Sequence, residues 1–175
     1  MRSKTKKTAV CGFAAALSVV LMLITAVAPF FMYVLPIASG LIVLFVADFA
    51  DKKWAVAVYF ATAILSMLLL TDKEAALVYI LFFGYYPLIR DFLKGLGRVL
   101  YRVLSFALFN ACAFAIGWAG VAFFGVSAEE YSEFGKLTIP LLLFMANIAF
   151  VLYDILLSRY GGLINRFSER VEKLI

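Results

Sequence analysis

Long apolar stretches, separated by short charged or proline-bearing breaks, leave this chain few ways to fold. They run from Thr8 to Val27, Val34 to Phe49, Trp54 to Leu70, Glu74 to Phe92, Val99 to Phe124 and Leu137 to Leu157. With 66% of residues hydrophobic and only 15% charged, a soluble fold would lack the polar side chains to cover its core. A helix crossing the hydrocarbon of a bilayer takes about 20 apolar residues at roughly 1.5 Å each. A chain of 175 residues therefore has room for about six spans and no separate soluble domain. The expected fold is an all-α membrane protein whose residues 1–160 form a six-helix transmembrane domain.

Basic residues resist translocation, so their distribution sets the orientation. With the N-terminus inside, all of the 16 lysines and arginines except Lys73 and Lys136 fall at cytoplasmic ends. Both termini are thus expected in the cytoplasm. The basic leader with Arg2, Lys4, Lys6 and Lys7 has the look of a signal peptide, but the apolar run behind it is long and meets Pro29 at once, and it reads as a retained first span.

Local signals mark several helix ends. Thr71-Asp-Lys-Glu74 has the spacing of a capping box and predicts the start of the fourth helix, and Ser127-Ala-Glu-Glu130 repeats it in the last external loop, predicting a short helix there with Tyr131 and Phe134. Pro140 sits just inside the sixth span, where its missing N–H does little harm. Gly84 and Pro87 lie within the fourth span and predict a kink. After Gly161-Gly162, the segment "LINRFSERVEKLI" spaces Leu163, Phe167, Val171 and Leu174 as one helical face. Residues 161–175 read either as a cytoplasmic amphipathic tail hinged at the glycines, the preferred reading, or as a plain extension of the sixth helix.

The composition removes much chemistry. There is no histidine, hence no imidazole metal site, triad or proton relay near neutrality, and no phosphate-binding glycine loop for ATP hydrolysis. Cys11 and Cys112 have no metal spacing and read as small packing residues. No enzyme activity, metal or cofactor is expected. Asp48 and Asp154 sit near the ends of spans two and six; an intramembrane protease would pair them, but "FVADFAD" lacks the glycine-containing half of that signature, and helix-end carboxylates near lysines are the simpler reading.

Two amides, Asn110 and Asn147, fall inside spans five and six, Asn147 roughly 15 Å below the outer surface and Asn110 deeper. Each needs a polar partner. They either hydrogen-bond between helices, worth about 0.6 to 2 kcal/mol, or floor an outward-facing pocket walled by Tyr79 and Trp118 about 10 Å deep. Acidic residues Asp72, Glu74, Glu129, Glu130 and Glu133 on the outer side favour neutral or cationic ligands over anions.

The first span begins "TAVCGFAAALSVVLML", unusually rich in small side chains that give lipid little contact and let another helix approach closely. Together with the basic N-terminus, the "APFFMYVLP" first external loop, six short helices and the chain length, it resembles the substrate-binding S component of energy-coupling factor (ECF) transporters. That resemblance implies a bundle of the S-component type in a bacterial cell membrane, which binds a vitamin or related micronutrient from outside. It also implies partners: a transmembrane coupling protein and two ATPase subunits that power import. Cys11, Gly12, Ala15 and Ala16 would then form the docking surface, and Tyr33 would belong to the lid over a site with Tyr79, Trp118, Tyr131, Asn147 and Asn110. No nucleic acid is implied. The competing reading is a non-catalytic membrane scaffold of the cell-shape and elongation machinery, which docks partners without a substrate.

Overall fold

The computed structural model describes residues 4–71, 73–124 and 138–174, and among these every regular element is helical. Helix α1 is Lys4–Ile24, α2 Val34–Phe49, α3 Lys52–Leu69, α4 Lys73–Val78, α5 Tyr86–Gly95, α6 Arg98–Phe124 and α7 Thr138–Leu174. A single 3₁₀ turn, Pro29–Phe31, precedes α2, and a π-helical turn, Tyr79–Phe83, separates α4 from α5. Four described stretches are long and apolar enough to cross a membrane: Lys4–Ile24, Lys52–Leu69, Lys73–Gly95 and Arg98–Ala122. Helix α2 is more apolar still but shorter, 16 residues, or about 24 Å.

The chain divides into two compact units, one of Met1–Asp91 with Leu156–Ile175 and one of Phe92–Ile155. In the first, α1, α2 and α3 meet through small side chains. Cys11, Ala14 and Ser18 of α1, Ser39 and Gly40 of α2, and Ala55, Thr62 and Ala63 of α3 are all buried. Small residues let helix backbones come close, which is how helices associate where lipid removes the hydrophobic incentive. Larger side chains, Met22, Val43 and Val46 among them, fill the remaining core.

The α2–α3 connection is tight. Asp51 accepts backbone hydrogen bonds from Trp54 and Ala55, and Lys7 reaches across from α1 to the Ala50 carbonyl at 2.7 Å and the Asp51 carboxylate at 2.5 Å. The lysine both satisfies a helix-end carbonyl and sets the start of α1 level with this junction.

The fourth apolar segment departs from a simple proline kink. Its ladder shifts to i→i−5, with the Gly84 N–H donating to the Tyr79 carbonyl at 2.8 Å, and α5 then restarts at Tyr86. Pro87 falls at the second residue of this new helix, where an N–H would have had no intrahelical acceptor. The proline is thus accommodated by breaking the segment in two. Two residues past the end of α5, Gly97 has a φ of 101°, the left-handed conformation that glycine adopts without strain.

In the second unit α6 packs against the first part of α7. Phe150 stacks on Phe109 at 4.9 Å and meets Phe106 edge-on at 5.1 Å. Helix α7 continues unbroken to Leu174, so Gly161-Gly162 does not act as the expected hinge. Glycine in a helix interior costs about 1 kcal/mol relative to alanine, a cost the flanking helix formers bear without interruption.

Candidate functional site

The small residues of α1 divide between two faces. Cys11 is 6% exposed and packs in the core, with half-buried Ala15 against it. Gly12 and Ala16 are exposed, and a Cβ built on Gly12 would meet nothing within 4 Å. At 100° per residue the two pairs cannot share one face. The inward pair lets α1 approach α2 and α3; the outward pair is exposed on the first unit.

Deeper in the first unit lies a layer of buried hydroxyls. Ser18 is 11 residues beyond Lys7 and Thr62 is 11 beyond Asp51, about 16 Å along each helix, so they lie at one depth. Ser39 donates to the Ser18 carbonyl at 3.3 Å. The hydroxyls of Ser18, Thr62, Ser66 and Tyr79 are buried without a well-formed hydrogen bond, although Thr62 lies beside the Tyr79 phenol. Tyr79 is fully buried. It is part of the packed core rather than the wall of an open pocket.

The π turn is gripped from α3. Tyr59 donates its hydroxyl to the Ile80 carbonyl at 2.9 Å, and its ring lies 6.0 Å from that of Tyr79 and 6.2 Å from that of Tyr85. Gly84 allows this approach: a Cβ there would stand 2.6 Å from Tyr59 Cδ2 and 2.9 Å from Tyr79 Cζ. Neither Tyr59 nor the hydroxyls of Ser18, Thr62 and Ser66 stood out in the sequence. Thr62 and Ser66, one helical turn apart inside an apolar run, were the available signal.

At one rim of this unit the exposed Tyr33 donates to Glu74 at 3.2 Å, tying the segment before α2 to the first turn of α4. Lys73 donates to the Met67 and Leu70 carbonyls at 2.8 and 2.6 Å and closes the end of α3.

In the second unit Asn110 and Asn147 find each other. Each amide donates to the other's side-chain oxygen at 3.0 Å and also to a carbonyl one turn back in its own helix, Phe106 at 2.8 Å for Asn110 and Leu143 at 2.7 Å for Asn147. Both N–H groups of each amide are therefore used. Trp118 of α6 is 59% exposed. Tyr101 donates to the Asp154 carboxylate, while Asp48, in the first unit, has the Asp91 carboxylate as its charged neighbour. Tyr131 lies outside the described residues, as do Phe134 and the rest of the expected external helix. No grouping that could hold a metal ion occurs among the described residues.

Taken together, the described elements are those of an all-helical protein with several apolar helices of membrane-crossing length. No family model matches the chain, and no curated protein or solved structure matches it significantly.

Proposed function

We propose that this chain is the membrane-embedded substrate-binding subunit of an ECF-type importer, taking up a vitamin or related micronutrient with separate coupling and ATPase subunits. In this reading six spans cross a bacterial cell membrane with both termini in the cytoplasm, and the Lys7–Asp51 end of the first unit faces inward. The observation that carries it is the outward face of α1, where Gly12 and Ala16 leave backbone open to a partner helix while the adjacent small residues are used internally. Such an opening suits a subunit that needs an external motor, since the sequence has no ATP-binding loop. The Tyr33–Glu74 contact suits a lid held at the outer rim.

The test separates docking from folding. Gly12→Leu or Ala16→Leu should prevent copurification of the coupling protein and ATPases while leaving thermal unfolding of the isolated chain unchanged. Cys11→Leu should destabilise the chain itself. If no energising module copurifies with the unmodified protein, and no vitamin shifts its unfolding temperature, the reading fails. A second reading, the non-catalytic scaffold, draws on the closed Asn110–Asn147 pair and the full burial of Tyr79, which leave those polar groups little to offer a substrate. It would be favoured if partners copurified without any ligand.

A further inference from the structure

Three helices of the first unit meet at one fixed point, which makes depths along them comparable. Lys7 of α1 reaches the Ala50 carbonyl and the Asp51 carboxylate at the α2–α3 junction. Counting 11 residues inward from each of these three gives Ser18, Ser39 and Thr62, about 16 Å along each helix. The hydrogen bond from Ser39 to the Ser18 carbonyl confirms that the first two are level. Thr62 lies beside the phenol of Tyr79, the first residue of the π turn, and Ser66 stands one turn further along α3. In a hydrocarbon layer about 30 Å thick, this is the middle, out of reach of headgroups and bulk water.

Serine and threonine inside a helix commonly turn back to a carbonyl of the preceding turn. Thr8 and Thr25 do so, donating to the Lys4 and Met22 carbonyls at 3.0 and 2.7 Å. Ser18, Thr62 and Ser66 do not, and their hydroxyls, like that of Tyr79, are fully buried without a well-formed hydrogen bond. An orphaned hydroxyl is costly anywhere and most of all in hydrocarbon. Four of them close to one depth call for a shared partner.

The partner's chemistry follows from theirs. A hydroxyl both donates and accepts. A cation would engage only the lone pairs, leave the O–H donors orphaned, and shed its hydration with no carboxylate among these residues to offset the loss. Water both donates and accepts, and bridges otherwise unsatisfied buried groups in this way in many proteins.

We infer that this layer is a site for ordered water, bridging Thr62 and Tyr79 to Ser18 of α1 and reaching Ser66. Because Tyr79 opens the π turn, such water ties the turn to α1 and α3 by exchangeable bonds as well as by packing. None of these residues belongs to the outward face of α1, so the site stands or fails independently of the importer reading.

Hydroxyl radicals made from held water by an X-ray pulse oxidise the side chains beside it. The intact chain in detergent, equilibrated with heavy-oxygen water, diluted briefly into ordinary water and pulsed, therefore tests the site, with mass spectrometry reading the retained isotope. Tyr79 should be labelled several-fold faster than Phe82, which is 1% exposed and sits against Phe83 and Tyr86, each rate taken relative to the unfolded chain. Thr62→Val, of the same shape without the hydroxyl, should cut Tyr79 labelling and raise the unfolding constant about fivefold, the worth of one hydrogen bond. Ser66→Ala, a smaller change, should lower the labelling as well. Exchanging choline chloride for sodium chloride at equal ionic strength should leave unfolding unaltered. Tyr79 labelled no faster than Phe82, a Thr62→Val variant as stable as the unmodified chain, or specific stabilisation by sodium would each overturn the assignment.

Discussion

Gly84→Ala should destabilise the first unit by about 1–3 kcal/mol, and the reasoning can be followed atom by atom. The added methyl would stand 2.6 and 2.7 Å from two carbons of the Tyr59 ring and 2.9 Å from Tyr79 Cζ. Ordinary contact begins at 3.4 Å, so the Tyr59 ring must retreat by several tenths of an ångström. Its hydroxyl is held at 2.9 Å by the Ile80 carbonyl, and Tyr79 behind it is fully buried. Overpacking a tight core costs about 1–3 kcal/mol, and weakening the Tyr59 hydrogen bond adds about 0.5–1.5 kcal/mol. Against these, Gly84 has helical dihedrals, φ −72° and ψ −41°, so alanine recovers up to about 1 kcal/mol of helix propensity. Gly12→Ala is the matched control, since its methyl meets nothing within 4 Å and only the propensity gain remains. Reversible unfolding in mixed micelles, titrated with denaturing detergent, measures both. Tyr59→Leu should relieve the clash, making the Gly84→Ala penalty smaller in that background. If Gly84→Ala is as harmless as Gly12→Ala, or its cost persists unchanged with Tyr59→Leu, the packing argument is wrong.

The paired amides should behave as one unit: in a double-mutant cycle Asn110→Leu and Asn147→Leu should couple by about 0.6–2 kcal/mol, each single variant costing more than half of the double, and additivity would refute the pairing. At the α2–α3 junction, Asp51→Asn should cost at most about 1 kcal/mol, because the carboxylate is 64% exposed and such pairs are weak and screened by salt. Lys7→Met should cost more, since it also strips the Ala50 carbonyl of its donor; equal costs for the two would show that the carbonyl contact contributes nothing.

How much of this was legible beforehand depends on whether a feature is local. The apolar run Val34 to Phe49 became α2 with the same bounds, and the Thr71 to Glu74 signal placed the start of α4 at Lys73, because length, charge and capping act within a few residues. Gly84 and Pro87 correctly marked a break. They could not show its form, since a π turn with a restarted helix depends on Tyr59, which is 25 residues away in sequence and one of nine tyrosines. Asn110 and Asn147 announced a need for polar partners, and their mutual bond meets it across helices. The sequence raised this alternative but could not choose it, because choosing requires the register of α6 against α7.

The first helix shows where periodicity adds to composition. Its small residues form two stripes offset by one position, Cys11 with Ala15 and Gly12 with Ala16, and a single residue turns a helix by 100°. Composition counts them as one cluster; geometry gives them opposite duties. An inward stripe must be small for α2 and α3 to approach, whether or not any partner exists. An outward glycine in the middle of a helix, where alanine would be more stable by about 1 kcal/mol and would clash with nothing, brings the isolated chain no packing benefit. In the proposed reading, Gly12 lets a partner helix come closer to the α1 backbone than a methyl group permits. That makes it the residue at which an external partner helix would be felt first.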